Sequence, residues 1–332
     1  MQKIINEPAG FVDEMLEGVL LAHSDSLCAG DIPKVVIRVG APKQGKVGIV
    51  TGGGSGHLPL FMGYVGVGLA DAAAVGEVFA SPSSEQILTA TRAANGGAGI
   101  LYLHGNYTGD VMNFELAAEQ ARAEGIEVAT VLAADDVASA PRGFESRRRG
   151  IAGIAFLYKI AGARAEQGGS LAEVTEAAAG AAAGLRTMGV ALSPCVVPAA
   201  GVPTFSLPAG EMEIGMGIHG EPGVHRGTLE TADQIAHQLV DRILEDLPYE
   251  RGDEVAVLVN GLGATPKEEL YILYRSVHHS LASAGVNVRR VWVGEYATSL
   301  EMAGASVSLL RLNDGLLKLF DEPCHSPFVV HY

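Results

Sequence analysis

The stretch Lys46–Met62, KVGIVTGGGSGHLPLFM, constrains the fold more than any other part of the chain. Val47, Ile49 and Val50 form a short apolar run that reads as a buried strand. It passes directly into Thr51-Gly52-Gly53-Gly54-Ser55-Gly56 and then His57. A segment with so few Cβ atoms is expected to be a turn whose backbone N–H groups approach a small polar ligand closely. Ligands bind at the carboxyl ends of strands in open α/β sheets, so His57 arrives where an acid or base could act. The phosphate-binding signatures do not fit. No Lys-Ser or Lys-Thr follows the glycines, and the G-x-G-x-x-G spacing breaks at His57 or Pro59. Gly53-Gly54-Ser55-Gly56 runs into His57 instead of completing G-x-S-x-G, so Ser55 is not read as a nucleophile. The stretch alone indicates a small-ligand site, with a plain loop as the alternative.

The chain has 332 residues, 48% of them hydrophobic and 18% charged, which suits a well-buried enzyme of two α/β domains or one large one. A net charge of −15 argues against nucleic acid as a partner. The one basic run, Arg147-Arg148-Arg149, is expected to be a surface loop. Cys28, Cys195 and Cys324 show neither metal-ligand spacing nor a disulfide framework, which fits a reducing cytoplasm. The N-terminus has no signal-like apolar region and no apolar run reaches spanning length, so a soluble cytoplasmic protein without a membrane partner is expected.

Along the chain, apolar periodicity predicts a helix from Phe11 to Leu21 and a small-residue stretch from Leu69 to Phe79. A helix starts at Ser81-Pro82, followed by a strand at 100–103, a helix over about 110–124 and a strand at 128–132. This alternation is the pattern of a mostly parallel sheet. Ile154 to Ala165 and the segment capped by Ser170 and Glu173, reaching about Thr187, are two more helices. The second half predicts strands from 190, at Met212–Ile218, 255–259, 288–293 and 307–312. Its helices are capped by Thr231 with Gln234 and by Thr265 with Glu268, the latter with Pro266 at the first helical position. The expected fold is therefore two α/β domains, 1–187 and 188–332, each with a mixed, largely parallel sheet flanked by helices.

Three strand-end turns carry reactive groups: His57, Asp110 and His219. Each has a plain structural alternative, and Asp110 could simply cap its helix. Together they could bind zinc, although no close ligand pair is present, or supply an imidazole nucleophile with a carboxylate base.

Over its whole length the chain resembles the substrate-binding subunit of the dihydroxyacetone kinases. The residues that carry the resemblance are Gly52–His57, Gly63–Gly66, Gly76–Pro82, Asn106–Asp110, Met112–Phe114, Glu211–Glu213, Gly217–Gly223 and Leu262–Pro266. The resemblance implies a homodimer and a ketose held between the turns of the first domain and the histidine of the second. It puts His219 at the position that attacks the ketose carbonyl to give a hemiaminal. Asp110 falls at the carboxylate that takes the proton of the terminal hydroxyl, and His57 at an assisting acid or base. Gly54, Ser55, Gly56 and Gly105 then join His57, Asp110 and His219 as substrate-binding positions, and no metal site is implied. No nucleotide signature is present, so the resemblance further implies a separate helical kinase subunit bearing ATP or ADP with Mg, and no cofactor on this chain. A regulatory paralogue that senses a ketose and contacts a transcription factor is the alternative. Two positions depart from the family pattern: Leu58 replaces a glutamate and Gly105 a lysine. Both suggest a less charged, roomier pocket and a ketose larger than dihydroxyacetone, such as erythrulose or apulose, with neutral drift as the alternative.

Overall fold

The computed structural model describes residues 2–332. Helix α1 (Phe11–Ala22) is followed by two short strands that periodicity did not reveal, β1 (Leu27–Ala29) and β2 (Val35–Arg38). Then come β3 (Gly48–Ser55), β4 (Ala72–Val78), α2 (Ser84–Ala94), β5 (Ile100–Gly105), α3 (Thr108–Ala123) and β6 (Val128–Ala133). The sheet order is β1-β2-β4-β3-β5-β6, with β4, β3, β5 and β6 mutually parallel. Strand side chains alternate between faces. Ala72 and Ala74 therefore pack with Ile87 of α2 and Phe114 of α3, while Ala73 and Val75 pack with Val12 and Leu16 of α1. Helix α2 starts later than Ser81-Pro82 because Ser83 and Gln86 exchange the reciprocal bonds of a capping box.

Two helices, α4 (Ile154–Glu166) and α5 (Leu171–Ala183), complete the first half. The second half contains β7 (Leu185–Ser193), β8 (Glu211–Ile214), β9 (His225–Thr228), α6 (Ala232–Asp246), β10 (Glu254–Gly261), α7 (Lys267–Ala284), β11 (Asn287–Gly294) and β12 (Ala303–Leu312). Its sheet order is β11-β10-β12-β7-β8-β9. The α/β class holds, but the expectation of a largely parallel sheet holds only for the first half. In the second sheet β10 and β11 are the parallel pair, and every other pairing is antiparallel. Parallel neighbours need a crossover, and α7 is the one helix that joins two adjacent strands here. Strand β8 also stops short of the expected Ile218, because Gly215 at φ +80° turns the chain. Thr265 does not cap α7; its hydroxyl bonds Gly304 on β12, and the N-cap is Pro266.

The chain ends with α8 (Asp314–Asp321) and a two-residue hairpin, β13 (Cys324–His325) with β14 (Val330–His331). The two compact units are interleaved along the sequence instead of meeting at one boundary near residue 187. One comprises residues up to Ala133, 155–180 and 316–332; the other comprises 134–154 and 181–315. Residues 134–154 join the second unit through backbone bonds such as Thr187 N–H to Asp135 O, 2.8 Å. The C-terminal hairpin belongs to the first, where Ser326 Oγ donates to Gly63 O at 2.6 Å. Lys159, fully buried on α4, donates to the Leu319 carbonyl at 2.9 Å and so ties α8 to that unit.

Helical glycines separate propensity from packing. On α5 nothing lies within 4 Å of a Cβ placed at Gly180, whereas one at Gly162 on α4 would overlap the Gly68 backbone. Gly180→Ala should therefore raise the unfolding free energy by up to about 1 kcal/mol. Gly162→Ala should lower it by about 1–3 kcal/mol despite the better helix former. Urea unfolding followed by circular dichroism measures both; equal shifts of one sign would contradict the packing argument.

Candidate functional site

The glycines do not form a loop. Strand β3 continues through them to Ser55, paired with β4 as far as Gly54↔Gly76 and then, past an irregularity, Ser55↔Val78. Their role is steric. A Cβ at Gly52 would lie 2.6 Å from Ala74 O, one at Gly54 2.7 Å from Ala80 N, and one at Gly53 would overlap the Phe61 ring. The turn begins only at Gly56, at φ +96°. Ser55 is held by its hydroxyl, which donates to Gly76 O at 2.6 Å. Gly54 and Gly56 are half-buried at the strand end, and Gly105 is the buried last residue of β5.

His57 follows directly and is 1% exposed. Its ring stacks on Phe79, centroids 4.8 Å apart and 20° between planes, and meets Phe61 edge-on. Phe79 has φ +59°, a left-handed conformation that costs a bulky residue roughly 1–3 kcal/mol. That backbone lays the ring against the imidazole. Phe79 was visible in the sequence only as part of a matching stretch, since nothing in local pattern signals a ring on a histidine.

Asp110 occupies the first turn of α3, where the helix dipole favours negative charge, and is buried. The N-cap of α3 is Tyr107, whose side chain makes no cap, and Asp110 follows it in the first turn. Behind it, Tyr158 of α4 is fully buried and shares a hydrogen bond of 2.7 Å with Thr51 of β3. Burial drives the Tyr158 phenol well above its ordinary value, and the Asp110 charge adds to that rise. His104, beside Gly105, stacks on Phe114 at 4.0 Å, and its Nδ1 lies 2.9 Å from Gly105 O. Burial lowers its pKa to about 4, so the imidazole is neutral.

His219 lies in the other unit, on the turn after β8. Its Nδ1 is 3.0 Å from Glu221 Oε1, and its backbone N–H donates to Glu221 Oε2, also at 3.0 Å. The turn is held by Gly217 N–H to Glu221 O, Gly223 N–H to Glu213 Oε1 at 2.7 Å, and the Ser299 hydroxyl on Ile218 O. Burial alone would raise the Glu221 carboxyl. The hydrogen bond and charge of His219, with Arg149 beyond, outweigh it and hold the pKa at about 2.

His57 and Asp110 thus leave the carboxyl ends of adjacent parallel strands of one unit, and His219 occupies a turn of the second. Leu58, half-buried, packs against the apolar cluster around Val12, Leu16 and Met62 and lines a small cavity with Gly54, Ser55 and Gly56. Of the arginine run, expected to be a surface loop, only Arg147 stays exposed. Arg148 is fully buried with both terminal nitrogens on Asp246, at 2.8 and 2.5 Å, and Arg149 binds Asp136. Buried acceptors elsewhere in the unit claim these guanidinium groups, which a charge count along the chain does not reveal. No group of three or more His, Cys, Asp or Glu residues is arranged to hold a metal ion among the described residues. No helix among them is long and apolar enough to cross a membrane.

The family profile described as the Dak1 domain matches residues 17–328. The dihydroxyacetone-binding subunit of a phosphotransferase-system-dependent dihydroxyacetone kinase from Listeria innocua is 46% identical over 95% of each chain. A D-erythrulose kinase from Mycolicibacterium smegmatis is also 46% identical, over 98% of this chain, which spans only 56% of that enzyme. Among solved structures, a dihydroxyacetone kinase operon co-activator aligns with TM-score 0.90 at 34% identity, over 96% of this chain and 98% of its own. The dihydroxyacetone kinase of C. freundii, solved with AMP-PNP and Mg²⁺, aligns with TM-score 0.87 at 34% identity, over 98% of this chain and 60% of its own.

The neutral His104 has a consequence for stability. Its folded pKa of about 4 lies below the ordinary 6.5, so the unfolded chain binds the extra proton between these values. Its contribution is complete above pH 6.5 and is lost as pH falls towards 4. His104→Phe, which keeps the stack on Phe114, should flatten the pH dependence of urea unfolding across that window. Nitrogen-15 spectra of the wild type should show this ring titrating near 4; titration near 6.5 would overturn the assignment.

Proposed function

The chain belongs to the Dak1 domain family, and from that premise we propose that it is the ketose-binding, catalytic subunit of a dihydroxyacetone-type kinase. The observation that carries this reading is the pair of buried acid–base groups, His57 and Asp110, at the carboxyl ends of adjacent parallel strands. His219 adds through a ring nitrogen to the ketose carbonyl. This reversible bond selects a carbonyl over glycerol, a discrimination that the few contacts of a short ketose could not supply. Asp110 accepts the proton of the terminal hydroxyl as the phosphoryl group arrives, and His57 assists as acid or base. Gly54, Ser55, Gly56 and Gly105 line the ketose with backbone. The phosphoryl donor sits on a separate helical subunit, as Mg-ATP or as ADP recharged by a phosphotransferase-system protein, and this chain pairs as a homodimer.

Dihydroxyacetone and erythrulose are the candidate substrates, in keeping with the relatives named for each. Leu58, beside the glycine turn, and Gly105, at the end of β5, support a preference for the larger ketose. The likeness to an operon co-activator favours a second reading, in which the chain senses a ketose without phosphorylating it. Sensing requires the adduct with His219 but no proton transfer at Asp110.

The test supplies dihydroxyacetone, both erythrulose enantiomers and apulose, with the helical subunit and either ATP or a phosphotransferase-system donor. Asp110→Asn should lower phosphorylation by about 10²–10⁴-fold while ketose binding persists. His219→Ala should abolish binding. Ketose binding without turnover with any donor would favour the sensor, and turnover unaffected by Asp110→Asn would overturn the catalytic assignment.

A further inference from the structure

Glu221 is two residues from His219, an arrangement with no regular periodicity, and both of its oxygens are committed to that histidine. One lies 3.0 Å from Nδ1 and the other accepts the backbone N–H at 3.0 Å. An ionised carboxylate can only accept hydrogen bonds. Glu221 is ionised at neutral pH, so the proton between them belongs to Nδ1 and the lone pair of the imidazole lies on Nε2. The carboxylate is itself anchored. Arg149 Nη1 lies 3.7 Å from Glu221 Oε2, and the same guanidinium binds Asp136 at 2.7 and 2.8 Å. Arg149 Nη2 also reaches Gly215 O, at the start of the turn. Gly217 has no side chain to obstruct this arrangement, since a Cβ there would collide with both Glu221 and Arg149.

We propose that Glu221, backed by Arg149 and Asp136, is the positioning residue that fixes the tautomer and orientation of His219 so that Nε2 is the nucleophile. The inference rests on the covalent role assigned to His219 above. In that step the Nε2 lone pair forms a bond to the carbonyl carbon, and the π pair of the carbonyl moves to oxygen. That oxygen takes one proton from water, and the hydroxide so formed passes to the bulk solvent. The ring becomes an N-alkyl imidazolium that keeps its Nδ1 proton, and its positive charge is paired with Glu221. A carboxylate here therefore both presets the tautomer and stabilises the charge that develops on addition. The bland alternative is that Glu221 merely closes the turn through the His219 backbone N–H. That role would leave the ring's proton where it is.

The test uses the full chain at about pH 8, above the ordinary histidine range. Nitrogen-15 spectra report the His219 tautomer, and carbon-13 spectra with [2-¹³C]dihydroxyacetone report conversion of the ketone carbon to a tetrahedral one. The wild type should carry its proton on Nδ1 and form the adduct. Glu221→Ala should move the tautomer towards Nε2–H and weaken adduct formation by about 10–100-fold, the scale of loss when a metal-binding histidine loses the carboxylate on its other ring nitrogen. Glu221→Gln, which can still accept from Nδ1 but lacks the charge, should keep the tautomer and lose part of the adduct, so it also serves if the alanine variant fails to fold. An unchanged tautomer and adduct equilibrium in Glu221→Ala would overturn the proposal. A wild type with the Nδ1 tautomer but no tetrahedral carbon would instead sink the covalent reading of His219 and leave the orientation by Glu221 standing.

Discussion

The first unit depends on a steric constraint, the absence of side chains along the second half of β3. Three consecutive glycines let Phe61 lie across one face of that strand and let the backbone around Ala80 close over its end. Close packing of this kind tolerates little added volume. With those approaches made, Phe79 is fixed against the imidazole of His57, and Ser55 is tied to Gly76 on the neighbouring strand. The glycines thus create the site by bringing protein to protein, and only Gly56 provides the left-handed turn that delivers His57.

In the second unit, charge does the corresponding work. Arg148, Arg149 and Arg186 are drawn inward by Asp246 and Asp136, and the turn that bears His219 is organised on the same framework through Glu221. A buried carboxylate left without such partners would be costly, whereas a network with its members paired holds one arrangement. A histidine that keeps a quarter of its side chain exposed is thereby given a defined proton position despite its place on a glycine-rich turn.

Much of this was legible in the sequence where the signal is local. The faces of α1, α3 and α6, the boxes at Thr231–Gln234 and Ser170–Glu173, and the strands of the second half from 255 to 312 follow from periodicity and capping chemistry alone. The placement of His57 just past β3 and of Asp110 at the start of α3 was legible for the same reason, whereas the strand expected to run up to His219 ends at Ile214 and leaves that histidine on a longer turn. Short strands such as β1 and β2 were not legible, because three or four residues carry too little periodicity. The antiparallel order of the second sheet was hidden as well, since strand direction depends on which strands become neighbours.

Family membership and the reactive residue types were contained in the sequence itself, in the ordered matches from Gly52 to Pro266. Tertiary structure alone decided what those residues touch. It packed half-buried Leu58 against an apolar cluster, took Arg148 from an apparent surface run into the interior, and made the glycines of β3 into strand. It also set Glu221 against Nδ1 of His219. The physical reason is common to all four. Periodicity and capping act within a few residues, whereas burial, steric exclusion and the pairing of charges are settled by segments that lie far apart in the chain.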